Sequence, residues 1–262
     1  MLRRTESTPL SLLPALKSHL WFASCPEPFQ IALIELSRLW HLRSGETLFS
    51  RGEEHDSLCC VVAGALKVGS TDPRDGSHRL SLYLEPYQWI GEISMIDGLP
   101  RGQDAVADMD TTVMVVSGVQ LDAWLAQNPQ YWRDIARLAC GKLRMILTAM
   151  EDNATLSIEE RLARRLLFSA TGFGQSTSLV VRKRVRLPQD YLARMLGVSR
   201  QTVNKALRTL EKEAVLAVHY AEVEILDVAA LVSRCGAIDP GLITQGLSPF
   251  WGDRPGALGE KA

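Results

Sequence analysis

Residues 189–211, reading QDYLARMLGVSRQTVNKALRTLE, restrict the fold of this 262-residue chain more than any other stretch. Two helices that cross closely through a turn of three or four residues need a small side chain where their backbones meet, and Ala193 supplies it. The turn needs a residue that tolerates positive φ, supplied by Gly197. An apolar wedge between the helices is available in Leu192, Leu196, Val198, Val203 and Leu207, and Ser199 stands where the second helix needs an N-cap. Left facing outward at that helix's N-terminal end are Arg200, Gln201, Asn204 and Lys205. Such side chains read base edges and hold phosphates when a recognition helix enters a major groove. The segment therefore reads as a helix-turn-helix for double-stranded DNA, followed by a two-stranded wing over 215–226 and a closing helix over 227–234.

Charge supports this only when the chain is divided. The whole carries a formal net charge of −1. Between residues 182 and 212, nine basic residues face two acidic ones, so this segment is +7 and the remainder −8. A local positive block is the footprint of a phosphate-binding face. Lys183 and Arg184 flank the wing and are candidates for phosphate contacts, as is Arg208. A ligand-binding module whose winged helix touches protein rather than DNA is the alternative from another class.

From about 41 to 118, short β-type runs alternate with turn signals at Gly45, Gly52, Gly64, Gly76 and Gly98, the pattern of a barrel or sandwich. A helix is expected from Pro28 to Leu39, another from Gln130 to Asn153, and a third over 158–172 closed by Gly172 and Gly174. In the second, Ile135, Leu138, Ala139, Leu143, Ile146, Leu147 and Met150 form a single stripe. At ~1.5 Å per residue this helix spans ~36 Å and overhangs a small barrel, which favours a dimer seam over packing on its own barrel. Residues 179–187 read as a strand, 5–11 as a disordered start, and the aperiodic tail from 239 as disordered.

The five cysteines, Cys25, Cys59, Cys60, Cys140 and Cys235, show no CxxC spacing and fit reduced thiols of a cytoplasmic protein. Successive strand side chains face opposite ways, so at best one of Cys59 and Cys60 faces the core. Before the barrel only Cys25 is present, so no iron–sulfur cluster is expected. There is no run of ~18 apolar residues to span a membrane, no nucleotide-hydrolysis loop and no nucleophile elbow, so neither a membrane nor an enzymatic role is expected.

Residues 30–235 resemble the Crp/Fnr family of bacterial transcription regulators. In the β-rich half the resemblance rests on 48–53 (LFSRGE), 62–68 (VAGALKV) and above all 89–102 (WIGEISMIDGLPRG), which looks like the family's phosphate-binding cassette. It implies an α+β chain: an N-terminal double-stranded β-helix (jelly-roll-like) barrel, a long central dimerisation helix and a C-terminal winged helix-turn-helix. The corresponding segments are an extension over 1–29, an effector domain over 30–128, a dimerisation helix over 129–156, a DNA-binding domain over 157–236 and a tail over 237–262. The implied partners are DNA, a second copy of the chain and RNA polymerase.

By the same resemblance, Glu92 would accept from a ribose hydroxyl and Arg101 would pair with a cyclic phosphate, with backbone amides near Gly91 and Gly102 completing the cradle. The alternative is that Glu92 and Arg101 pair with each other. The chain departs from the family pattern in three places: Gly102 replaces a hydroxyl or alanine, Tyr87 replaces the glycine of a Pro-Gly pair, and Ile146 and Leu147 fall where cyclic AMP sensors place Thr and Ser. An apolar wall covers a base without hydrogen-bonding it. The effector thus stays open between a cyclic nucleotide, a cyclic dinucleotide, another ligand and none.

Overall fold

Runs of β-branched and apolar residues between 37 and 117 form antiparallel strands in the computed structural model, which describes residues 5–54, 57–71, 74, 78–171, 183–185, 187–219 and 222–236. The chain divides into two units, 1–148 and 149–262.

In the first unit, β1 (Thr5–Ser7), β2 (Ser37–Leu42), β4 (Ser57–Ala63), β7 (Trp89–Ile90) and β9 (Thr111–Ser117) form one sheet in the order β1-β2-β9-β4-β7. β3 (Thr47–Phe49), β5 (Leu66–Thr71), β6 (His78–Leu84) and β8 (Asp104–Ala107) form the other, in the order β3-β8-β5-β6. Register explains the packing. Cys59 lies opposite Val115 and Cys60 opposite Met114. Cys59 and Val115 thus join Val61, Leu66, Val68, Ala105 and Ala107 in a core between the sheets. Cys60 and Met114 join Leu58 and Val116 in a second core beneath helices. The expectation that at best one vicinal cysteine faces the core fails because β4 is covered on both sides.

The covering helices are α1 (Leu13–Leu16), α2 (Leu20–Ser24) and α3 (Glu27–Glu35), with α5 (Gly118–Gln127) and the start of α6 (Trp132–Thr155); α4 (Glu92–Asp97) follows β7. The N-terminal segment corrects the sequence reading in two respects. Thr5–Ser7 is an edge strand on Arg38–Trp40, not a disordered start. Leu16, Trp21, Phe22 and Cys25, assigned to an extension, share the core of Trp89. The rings of Trp21 and Phe22 lie 5.0 and 5.5 Å from Trp89, and Trp21 Nε1 donates to the Asp134 carbonyl at 2.6 Å. Pro26 separates α2 from α3, and Pro14 sits in the first turn of the four-residue α1, so these helices are too short to show a period, yet Leu16, Trp21 and Phe22 are buried all the same. The helix expected as far as Leu39 ends at Glu35, where the Ser37 hydroxyl donates to the Ile34 carbonyl at 2.7 Å and the chain leaves as β2.

The apolar stripe of α6 has two fates. Ile135 and Leu138 are buried in the barrel's helical core, whereas Leu143, Ile146, Leu147 and Met150 are 50–63% exposed in the single chain.

The second unit contains α7 (Ile158–Ala170), opened by a capping box between Ser157 and Glu160, then α8 (Gln189–Leu196), α9 (Arg200–Lys212) and α10 (Val228–Ser233). β10 (Arg184–Val185), β11 (Leu216–His219) and β12 (Glu222–Ile225) form a sheet in the order β10-β12-β11. Its core draws on Leu162, Leu166, Leu192, Val203, Leu207, Val223 and Leu231. Of the strand expected over 179–187, Arg184–Val185 is seen; the Gly172–Gly174 terminator and the 237–262 tail lie outside the described residues.

Candidate functional site

In the barrel, β7 delivers Gly91 to the start of α4 with φ +111. A Cβ there would stand 2.6 Å from the Ser57 carbonyl oxygen and 2.8 Å from Arg101 Nη1, so only glycine lets these groups meet. Arg101, 3% exposed, donates through Nη2 to the Ser57 carbonyl at 2.5 Å and hydroxyl at 3.0 Å, and through Nη1 to the Gly91 carbonyl at 3.3 Å. Its guanidinium carbon lies 4.4 Å from the centre of the Phe49 ring. Glu92 is 1% exposed and accepts from Lys142 Nζ of α6 at 2.8 Å. The two cassette charges are engaged separately: Arg101 donates to the Ser57 and Gly91 carbonyls and the Ser57 hydroxyl, and Glu92 accepts from Lys142, which the sequence did not single out. A buried carboxylate demands a cation, but nothing local in the sequence says that it comes from residue 142.

Gly102 would meet nothing within 4 Å if given a Cβ, so a hydroxyl-bearing residue has room there. Tyr87, at the departed Pro-Gly position, still adopts φ +71, and its N–H donates to the Val61 carbonyl at 2.6 Å. The turn thus keeps the conformation that glycine usually supplies, at a strain of about 1–3 kcal/mol. Beside the cassette, burial and then the Lys142 charge push the His19 imidazole down to about 3, which keeps the ring neutral at pH 7. The buried thiols of Cys25 and Cys235 are pushed up to about 12, chiefly by burial, and are unreactive.

In the second unit, Gly197 (φ +66) ends α8, and Val198 N–H closes the turn on the Ala193 carbonyl at 3.0 Å. The Ser199 hydroxyl then accepts from Thr202 N–H at 3.1 Å, capping α9. Leu192, Leu196, Val203, Leu207 and Leu210 are buried, while Val198 is half-buried at the rim. This fixes the outer face. Arg200, Gln201, Lys205 and Arg208 are exposed and Asn204 half-buried, on one helix whose opposite side is locked. Arg200 Nε lies 3.6 Å from Asp190 Oδ1, with both side chains more than half exposed. A pair of this kind contributes about 0–1 kcal/mol and is readily exchanged for another anion.

On the wing, Lys183 is exposed, and Arg184 faces Glu222 at 3.7 Å and Glu224 at 3.5 Å. His219 Nε2 lies 3.0 Å from the same Glu224 oxygen, and this bond, followed by the Arg184 charge, holds Glu224 below the usual carboxylate range. Among the described residues no group of three His, Cys, Asp or Glu is placed to hold a metal ion, and no helix is long and apolar enough to cross a membrane.

Two family profiles match these units: a cyclic nucleotide-binding domain over residues 39–128 and a Crp-like helix-turn-helix domain over 160–234. The chain belongs to the Crp/Fnr family of transcription regulators. This Crp/Fnr regulator is 30% identical over 195 residues to the CRP-like cAMP-activated global transcriptional regulator of Mycobacterium tuberculosis, covering 72% of this chain and 84% of the relative. It is 27% identical over 218 residues to the cyclic AMP receptor protein of Thermus thermophilus, covering 82% and 95%. A solved Crp-family transcriptional regulator, also from Thermus thermophilus, superposes with a TM-score of 0.57 at 25% identity, covering 75% of this chain and 96% of the other. Like these relatives, the regulator is not an enzyme.

Proposed function

We propose that this Crp/Fnr regulator acts as a homodimer on an inverted-repeat duplex, under the control of an effector in its barrel. The observation that carries the reading is the outer face of α9, where Arg200, Gln201, Asn204, Lys205 and Arg208 stand on a helix capped by Ser199 and fixed by a buried wedge. Arg200 and Gln201 take base edges, Lys205 and Arg208 take phosphates, and Lys183 follows the backbone from the wing. Arg184, already facing two wing carboxylates, orders the wing more than it binds DNA. The exposed run Leu143, Ile146, Leu147 and Met150 is the seam for the second copy, since an apolar stripe left in water is costly. RNA polymerase is the further partner that a transcription regulator of this kind engages.

The effector class is a cyclic nucleotide or cyclic dinucleotide. Two relatives are named for cyclic AMP, and the cassette offers a buried guanidinium, a buried carboxylate and a glycine that allows close approach to the backbone. A ligand phosphate would compete with the Ser57 and Gly91 oxygens for Arg101, and a ribose hydroxyl would share Glu92 with Lys142. Ile146 and Leu147 would cover the base without selecting it by hydrogen bonds.

Selection from a random duplex library tests the DNA reading. The expected product is an inverted repeat with half-sites about one helical turn, ~34 Å, apart; absence of any duplex binding at low salt overturns it. A thermal-shift panel with cyclic AMP, cyclic GMP and cyclic di-GMP, repeated on Arg101→Lys, tests the pocket. A shift present in the wild type and reduced in the variant supports the cassette, and no shift with any of the three overturns this effector class.

A further inference from the structure

We propose that Arg161 and Arg164 of α7 are positioning residues that fix the DNA-reading helices on the last turn of α6; the inference rests on the DNA-binding reading above. The two arginines lie three residues apart, on one face of α7. Arg161 Nη1 donates to Asn153 Oδ1 at 2.7 Å and to the Leu196 carbonyl at 3.3 Å. Arg164, 6% exposed, pairs through Nη1 with Asp152 and donates through Nε to the Cys235 carbonyl at 2.7 Å. Each arginine therefore holds one residue of the end of α6 and one backbone oxygen of the winged helix. Leu196 is the last residue of α8, immediately before the turn that launches α9, and Cys235 follows α10. Both oxygens lie at or just beyond helix C-terminal ends, where carbonyls lack intrahelical partners and a cation is favoured.

The energetics suit registration better than stability. Replacing a buried ion pair by well-packed apolar groups is often neutral, while its geometry is strict. Burial holds the Asp152 carboxyl above the usual range, with Arg164 pulling it the other way. These contacts, two made by each planar guanidinium, hold the end of α8 and the end of the winged helix against the last turn of α6, so a change in the pitch of α6 would be passed toward α9 rather than absorbed at the junction.

The test uses the full chain and the duplex selected by the wild type. Asp152→Asn removes a negative charge from the DNA-reading unit, which by electrostatics alone tightens binding to a polyanion. If Asp152 instead orients Arg164, affinity falls at least about fivefold, the lower end of coupling between sites. Arg161→Gln and Arg164→Gln should weaken binding to a similar degree with an unchanged dependence of affinity on salt, since neither contacts phosphate. Amide exchange of α9 in each variant, protected as in the wild type, separates lost orientation from unfolding. Asp152→Asn binding as tightly as the wild type, or a salt slope reduced by about one in either arginine variant, overturns the proposal. A wild type that selects no duplex overturns the DNA-binding reading itself.

Discussion

In the barrel, Glu92 and Arg101 are 1% and 3% exposed and already engaged by the protein, whereas at the start of α9 Arg200, Gln201 and Lys205 stand in solvent on a helix whose other face is locked. The physical reason differs with burial. A charge in a core must be paired to be there at all, so a ligand at the cassette has to exchange with internal partners. A charge on a capped surface helix needs only the backbone beneath it, so DNA, on the proposed reading, would add contacts while displacing among the described residues the exposed Asp190–Arg200 pair. On the proposed reading, a ligand at the cassette would rearrange internal pairing, whereas DNA would meet a face that is already exposed.

The most damaging variant should be Lys142→Met, which leaves the Glu92 carboxylate buried without its ammonium. We expect a loss of about 3–5 kcal/mol in urea unfolding of the barrel. A loss below about 1 kcal/mol would show that Glu92 does not depend on α6, and the contrast would weaken. Next, Gly91→Ala forces a Cβ against the Ser57 carbonyl at a positive φ and should cost at least about 1–3 kcal/mol. Gly102→Ser, in open space, should stay within about 0.5 kcal/mol. Equal effects at the two glycines would contradict the described approach of Arg101 to the Gly91 backbone.

A smaller effect comes from pH. His19 titrates near 6.5 when unfolded and near 3 when folded, so between these values the unfolded chain binds the extra proton. Its contribution is fully present above pH 6.5 and is lost as pH falls, by at most about 1.4 kcal/mol per pH unit. His19→Leu should flatten barrel stability between pH 7 and 5, as followed by tryptophan fluorescence. An unchanged slope would place the acid sensitivity elsewhere.

The same contrast explains what could be read in the sequence. The helix-turn-helix was legible almost residue by residue, because Ala193, Gly197, Ser199 and the wedge act over a few positions and obey local rules of turn, cap and period. The cassette was half legible. Gly91, Glu92 and Arg101 stood out through the family resemblance of residues 89–102, but Lys142 is fifty residues from Glu92 and meets it only through the fold. Tyr87 looked like a departure from the family turn, yet its backbone keeps the turn's positive φ, which residue type alone could not reveal. The N-terminal helices were hidden by their shortness, four and five residues for α1 and α2, and their place in the core shows only where Leu16, Trp21 and Phe22 cluster with Trp89. Arg161 and Arg164 gave no signal, since a basic residue on an amphipathic helix reads as solvated until its partners are seen.

Base-resolved discrimination by α9 is the most direct test of DNA reading by this chain. Wild-type protein and Arg200→Ala should be titrated against the selected duplex and a set carrying each single base-pair change. The variant should lose about 1–3 kcal/mol of discrimination at one position of each half-site and keep the rest. Undiminished preference at every position would contradict it, because the exposed end of α9 would then not be reading bases.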